Sequence, residues 1–350
     1  MKKIKINNLN IGKEYEPVII AEMSGNHNQS LEKALQIVQE AQSNGAQMLK
    51  LQTYTADTMT LNVKGGDFYI DDKKSLWYGK NLYDLYNVAY TPWEWHKEIF
   101  DYCKELGIVG FSTPFDSSAV EFLEKLDVPL YKIASFENTH LSLIELVAST
   151  EKPVIVSTGM ATLSEIDQIV NTLHKSNCKN FILLKCTSSY PAKISDSNIA
   201  TIPYLEKLFD CQVGLSDHTM GIGAAIAAVS HGATIIEKHF TLSRKDEGVD
   251  SAFSVEPLEL KSLVQESKNA WSSLGKVSHG PLKNEIASLG FRRSIYVSQP
   301  MKSGEIFSDE NIRIVRPGYG LSPSFYKLII GRKANQDLPV GTALKLEFVS

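Results

Sequence analysis

Glu22, Lys50, Lys132, Lys185, His218, Glu237 and His239 each stand inside or at the end of a short apolar run. A lysine in a buried strand costs free energy unless it has a partner or a ligand. Three such lysines, with Ser135, Ser157, Ser188 and Ser216 nearby in the chain, make a set that can hold phosphate or carboxylate. The alternative is a structural ion pair, for example Lys132 with Glu22 or with Glu237. His218 and His239 end successive runs, so on paired strands they stand roughly 5 Å apart. Two imidazoles at that spacing can share one divalent metal ion, with water and substrate oxygens filling the shell. They can equally be a hydrogen-bonded pair beside a carboxylate. The other histidines, at 27, 96, 140, 174, 231 and 279, fall in loops or helices and read mostly as solvated.

The runs that must position these side chains alternate with amphipathic helices. Strands are expected at 17–22, 46–52, 108–113, 128–135, 153–158, 181–187, 213–218 and 234–239. The first helix carries Leu31, Ala34, Leu35, Val38 and Ala41 on one face and stops at Asn44-Gly45. Thr91-Pro92-Trp93-Glu94 predicts a helix start with Thr91 as cap. Asp116 predicts another, and Thr162-Leu163-Ser164-Glu165 reads as a capping box. A helix is expected at 257–274. Regular βα alternation implies parallel strands. Eight units in roughly 270 residues fit a (β/α)8 TIM barrel, whose site lies at the C-terminal strand ends. An open doubly wound sheet would want a glycine-rich phosphate turn after the first strand, and Glu22-Met23-Ser24-Gly25-Asn26-His27 is not one. An insertion at 53–90 is rich in aromatics, and Trp77, Tyr78, Tyr83, Tyr86 and Tyr90, with Trp93 and Trp95 beyond, read as its packing. The glycines and prolines of 276–290 break the pattern. This divides the chain into a barrel at 1–280, a linker at 281–290 and a small, mostly β domain at 291–350.

Composition narrows the class. Of 350 residues, 43% are hydrophobic and 22% charged, which is globular and excludes wholesale disorder. The net charge of −4 supplies no basic field for nucleic acid. No apolar run approaches the ~20 residues that span a bilayer, and no signal peptide follows the basic start. Cys103, Cys178, Cys186 and Cys211 are scattered without a CxxC, as in a cytoplasmic protein with reduced thiols.

Ala21-Glu22-Met23-Ser24-Gly25-Asn26-His27, Lys50-Leu51-Gln52-Thr53, Phe111-Ser112-Thr113-Pro114-Phe115, Tyr131-Lys132-Ile133-Ala134-Ser135, Ser157-Thr158-Gly159-Met160, Gly214-Leu215-Ser216-Asp217-His218 and Glu237-Lys238-His239-Phe240 resemble, in order, the sialic acid synthase family. The tail, with Val315-Arg316-Pro317-Gly318, resembles that family's antifreeze-like (SAF) domain. The resemblance implies an enzyme that condenses phosphoenolpyruvate with an amino sugar to give a nonulosonic acid and phosphate. Gln52-Thr53-Tyr54-Thr55-Ala56-Asp57, Thr91-Pro92-Trp93-Glu94-Trp95-His96 and the run 132–137 are most similar to the pseudaminic acid branch. That branch implies 2,4-diacetamido-2,4,6-trideoxy-altrose as the sugar. The N,N'-diacetyllegionaminate and N-acetylneuraminate branches are the alternatives. A glycan-binding protein working through its SAF domain is an alternative of another class, against which the buried lysines count.

Residue by residue, the resemblance implies Lys50, Lys132 and Lys185, with Ser135, Ser157, Ser188 and Ser216, around phosphoenolpyruvate. Ser188 stands where the family often has asparagine. Glu22 and Glu237, with Lys50 and Lys132, are the implied catalytic groups, the two glutamates moving protons or orienting water. Gln52, Tyr190, Asp250 and Arg316 are implied for the sugar, and His218 and His239 for one Mn²⁺ or Mg²⁺. The implied assembly is a homodimer in which each SAF domain reaches the other subunit.

Overall fold

The computed structural model describes residues 3–350, and the chain divides into two compact units, Met1–Gly275 and Lys276–Ser350. In the first unit an antiparallel hairpin, β1 (Ile4–Ile6) and β2 (Leu9–Ile11), precedes eight parallel strands. These are β3 (Val18–Glu22), β4 (Met48–Thr53), β5 (Val109–Pro114), β6 (Tyr131–Ile133), β7 (Val154–Ser157), β8 (Phe181–Cys186), β9 (Gln212–Asp217) and β10 (Ile235–His239). They close as β10-β3-β4-β5-β6-β7-β8-β9, so the expected (β/α)8 barrel is the fold. All eight strands fall within or close to their predicted spans. The largest trimming is at β6, where three residues replace the eight expected.

The barrel has two cores because its strands are covered on both faces. The outer core packs Ile19, Leu49, Ile133, Val156, Leu183 and Ile236 under the helices. The inner one holds Val18, Ile20, Met48, Phe111, Leu130, Ile155, Ile182, Leu184 and Ile235, together with Ile4, Ile6 and Ile11 of the hairpin. The hairpin therefore packs on the apolar layer at the N-terminal end of the barrel. Towards the C-terminal end of each strand the same inward face turns polar: Glu22, Lys50, Thr113, Lys132, Ser157, Cys186, Ser216 and Glu237. Strand alternation makes that change of character possible.

Local chemistry sets the helices. Ser30 caps Leu31–Ser43, which buries Ala34, Ile37, Val38 and Ala41. Asp116 accepts from the backbone N–H groups of Ser118 and Ala119, and the Thr162–Glu165 box closes as expected. Pro257–Leu274 is helical over the predicted span. Thr91 departs from expectation. It is buried, its hydroxyl bonds the His27 ring at 3.2 Å, and the helix His96–Glu105 starts after a 3-10 turn without a side-chain cap. His27 and His96, expected in solvent, are both fully buried.

In the second unit β11 (Ser294–Val297) pairs antiparallel with β12 (Ile312–Val315). Single bridges such as Tyr296–Ala343 and Met301–Leu338 extend the β structure. Ile295, Val297, Phe307, Ile312 and Leu344 form a core of its own.

Candidate functional site

The polar layer at the C-terminal strand ends is the floor of a cavity of about 630 Å³. Strand register puts Glu22 beside Lys50, Glu22 beside His239, and Ser216 beside Glu237. Lys50 Nζ lies 2.7 Å from Glu22 Oε2 and 3.2 Å from Glu237 Oε1. Lys132 Nζ donates to Ser157 Oγ at 2.7 Å and lies 3.6 Å from Glu237 Oε1. Ser216 Oγ donates to Glu237 Oε1 at 3.1 Å, and Gln52 Nε2 donates to Glu22 Oε1 at 3.0 Å. The structural ion pairs and the lysine cluster are thus one network, with two ammoniums facing two carboxylates.

Its electrostatics divide the acids. Burial alone would raise the Glu237 carboxyl, but Lys132 and Lys50 outweigh it and hold it at about 2. Glu237 is therefore an ionised acceptor, and its Oε2 is buried without a hydrogen-bond partner. Burial pulls Lys50 down to about 8, Glu237 opposing and Lys132 reinforcing the shift. Glu137, in the turn after β6, goes the other way: burial lifts it to about 7 against Lys132 and Lys50. Its Oε2 is also buried and unpartnered. Near neutral pH, Glu137 can give up a proton that Glu237 does not hold.

The imidazole rings of His218 and His239 lie 5.3 Å apart, centroid to centroid. His218 Nδ1 donates to the Thr187 carbonyl at 3.0 Å, so in the neutral ring the lone pair is on Nε2. Burial, reinforced by the charges of His218 and Lys50, keeps His239 neutral well below the usual imidazole range. Its Nδ1 is 3.7 Å from Asp250 Oδ2 and is buried without a hydrogen-bond partner. Burial alone would lower His218, but the neighbouring Cys186 thiol, the Thr187 carbonyl and Glu237 outweigh it and raise the ring, so its Nε2 becomes a donor to a metal ion only as its proton is lost. His239 already offers a neutral nitrogen beside the Asp250 carboxylate. Such a set fits a divalent ion that displaces the His218 proton. Among the described residues no cluster of three or more His, Cys, Asp or Glu side chains is arranged to hold a metal ion.

Most of the remaining expected residues meet here. Ser135, Ser188, Tyr190, Gln52 and Asp250 line the same cavity. Asp250 accepts from Ser24 Oγ, and the Tyr190 ring stands 4.5 Å from that of His218. The Ser135 and Ser188 side chains come so close to the Gly159 backbone that a Cβ on Gly159 would lie 2.2 Å from Ser188 Oγ and 2.6 Å from Ser135 Oγ. Lys185 is not among the lining residues. Leu184 faces inward and Cys186 lines up beside Ser216, so Lys185 points outward, donating to the Cys186 carbonyl at 2.8 Å and to Thr187 Oγ1 at 3.2 Å. Arg316 is an exposed residue of the second unit, just beyond β12.

The NeuB family model matches residues 37–279, more than half of the chain. The chain belongs to the NeuB family. The SAF domain matches residues 292–349. Pseudaminic acid synthase of Campylobacter jejuni subsp. jejuni serotype O:23/36 (strain 81-176) is 44% identical over 346 residues, 98% of each chain. Pseudaminic acid synthase of Helicobacter pylori (strain ATCC 700392 / 26695) is 42% identical over 333 residues, 95% of this chain and 97% of the other. Among solved structures, the N-acetylneuraminic acid (sialic acid) synthetase of Leptospira borgpetersenii serovar Hardjo-bovis, in complex with citrate, has a TM-score of 0.73 at 32% identity. The match covers 82% of this chain and 95% of that one.

Sequence reasoning left three features of this NeuB-family site without a role. Glu137 follows Lys132 by five residues, and only the fold shows that it lines the same cavity as Lys132 and Lys50. Trp77 and Tyr86, read as packing for the insertion, line the cavity. Asp217 and Lys238 are buried and paired at 2.7 Å, and Lys238 Nζ also donates to the Thr219 carbonyl at 2.6 Å. This pair ties β9 to β10 directly beside His218 and His239.

Proposed function

We propose that this protein condenses phosphoenolpyruvate with 2,4-diacetamido-2,4,6-trideoxy-altrose, giving pseudaminic acid and phosphate. The observation that carries the reading is one cavity holding the Lys50–Lys132–Ser157 floor and the His218–His239 pair, in a chain 44% identical end to end to a pseudaminic acid synthase. Lys132, Ser157, Ser135 and Ser188 hold the phosphate, with Lys50 and Ser216 at the carboxylate end. Lys185, turned outward, supports the loop after β8 and does not contact the anion. Gln52, Tyr190 and Asp250 face the sugar.

The floor is electrically balanced, because two lysines already meet two glutamates. A substrate carrying phosphate and carboxylate brings negative charge that this floor does not neutralise. His218 and His239 would hold a divalent cation, Mn²⁺ or Mg²⁺, which would supply the compensating positive charge and would polarise the sugar aldehyde. The enol methylene carbon attacks the aldehyde carbon and the new C–C bond forms. Glu137 protonates the aldehyde oxygen, being the acid that carries a proton near neutral pH. The positive charge left at C2 of the enol phosphate is met by water oriented on Glu237, whose free oxygen is an acceptor. The C2–O bond then breaks, the added hydroxyl becoming the 2-keto group; of the two protons of the water, one restores Glu137 and the other leaves with phosphate.

The assembly is a homodimer in which Arg316 of one copy serves the sugar end of the other's barrel. The planar guanidinium suits amide and hydroxyl oxygens. The setting is the cytoplasm, where phosphoenolpyruvate is available. Four free, buried cysteines agree with a reducing compartment, and no helix among the described residues is long and apolar enough to cross a membrane.

Phosphate release from phosphoenolpyruvate, measured with a panel of diacetamido sugars and N-acetylmannosamine, tests the reading. The altrose-configured sugar is expected to give the highest kcat/KM. Release with none of the panel, or a preference for N-acetylmannosamine, overturns it.

A further inference from the structure

The cavity has a polar floor and an apolar side. The floor comes from the barrel strands. The apolar side comes from the insertion, whose Met59, Ile70, Trp77, Leu82, Leu85 and Ala89 all line the cavity. Apolar side chains in such a segment normally pack into a core. Here Leu85 and Ala89 are buried, yet neither belongs to the three hydrophobic cores. Met59, Ile70 and Leu82 are half-buried and also lie outside them. Phe136, another lining residue, is 61% exposed. The polar edge of Trp77 is already occupied, since its Nε1 donates to the Val249 carbonyl at 3.1 Å. The hydroxyls that the insertion adds to the lining are those of Thr58, which is bonded to Thr55, and of Tyr54 and Tyr86; Met59, Ile70 and Leu82 themselves present only C–H and thioether surface.

We propose that the insertion is the specificity wall of the site, with Met59, Ile70 and Leu82 receiving the methyl-bearing end of the sugar. The inference rests on the proposed synthase reading and adds which residues select the sugar. A substrate with an anionic partner on the floor and a carbon-terminated chain against the wall fills both halves of the cavity. A sugar ending in hydroxymethyl brings a hydroxyl against Met59, Ile70 and Leu82, none of which offers it a good hydrogen-bond partner. Leaving that hydroxyl unpaired once the sugar covers the wall disfavours it by roughly 10- to 150-fold. The selectivity then comes from rejection as much as from attraction.

The experiment compares two sugars, the 6-deoxy diacetamido hexose and its 6-hydroxy counterpart, on wild type, Ile70→Asn and Leu82→Asn. Both substituted residues lie outside the cores, and melting curves check that each variant folds. Met59→Gln serves as a third variant should one of these unfold. Each variant is expected to shift the kcat/KM ratio of deoxy to hydroxy sugar by about tenfold or more towards the hydroxy sugar. The KM for phosphoenolpyruvate is expected to stay within about twofold, and Ile70→Val to keep the wild-type ratio. A parallel fall for both sugars, or an unchanged ratio in all folded variants, overturns the wall while leaving the synthase reading intact. Absence of phosphate release by wild type with either sugar overturns the synthase reading and the wall with it.

Discussion

Lys132→Met separates the two things this lysine can do. Methionine keeps the aliphatic stem and removes the charge. In the folded protein Lys132 is 1% exposed, donates to Ser157 Oγ at 2.7 Å and faces Glu237 at 3.6 Å. If it holds the phosphate, its loss removes a charge-assisted bond of about 1.5–3 kcal/mol. That corresponds to a KM for phosphoenolpyruvate raised roughly 10- to 150-fold, at about 1.4 kcal/mol per decade. The structural cost is bounded by what Glu237 keeps. Stripping a buried ion of its last partner costs about 3–5 kcal/mol. Glu237 still has Lys50 at 3.2 Å and Ser216 at 3.1 Å, so the loss is expected to fall below that range. The barrel should melt a few degrees lower and remain folded at 25 °C.

Steady-state kinetics with phosphoenolpyruvate varied at saturating sugar, beside a calorimetric melt, read both effects. The predicted pattern is a large rise in KM with a modest fall in melting temperature. A folded variant whose KM and kcat both match wild type would refute the assignment. Lys132 would then be only the counter-ion of Glu237.

Further outcomes follow from the same geometry. Chelation is expected to abolish turnover and Mn²⁺ or Mg²⁺ to restore it, and titration calorimetry should show Mn²⁺ binding lost in His218→Ala; full activity after exhaustive chelation, with no metal by elemental analysis, would remove the ion from the reaction. Glu137 titrates at about 7, so kcat/KM should fall above that pH as its proton is lost, and Glu137→Gln should both lower the rate and abolish that limb. His27 and His96 are each held down to about 4 by burial, so the unfolded chain takes up protons near pH 6.5 that the folded chain refuses. Their contribution is whole above pH 6.5 and disappears as pH falls towards 4, about 3 kcal/mol for each ring, and urea midpoints between those limits should drop less in His96→Gln than in wild type.

Much of the fold is written in the runs themselves. Eight apolar stretches, each followed by a capped or glycine-stopped helix or a loop leading to one, leave few arrangements besides a closed parallel barrel. The caps that failed did so for a tertiary reason. Thr91 has the right type and spacing to start a helix, but a buried imidazole claims its hydroxyl. A local rule sees the threonine and not His27, which is 64 residues away. The burial of His27 and His96 was hidden for the same reason. A histidine beside a turn looks solvated until the next layer is placed over it.

The site was legible where sequence carries parity and obscure where it does not. In β10 the order Glu237-Lys238-His239 puts charge on both faces, and the glutamate and histidine share one of them. In β8, Phe181-Ile182-Leu183-Leu184-Lys185-Cys186 is apolar on both sides, so nothing local says whether Lys185 or Cys186 looks inward. Register decides it, through Cys186 beside Ser216. The same strands show why a buried lysine is weak evidence of an active site on its own. Lys238 is as buried as Lys132, but it faces outward and is matched by Asp217 at 2.7 Å. Lys132 meets its acid at 3.6 Å and spends its short bond on a serine hydroxyl. A closed pair holds strands together. An ammonium that shares its acid with Lys50 and keeps a serine beside it retains the capacity to meet an incoming anion.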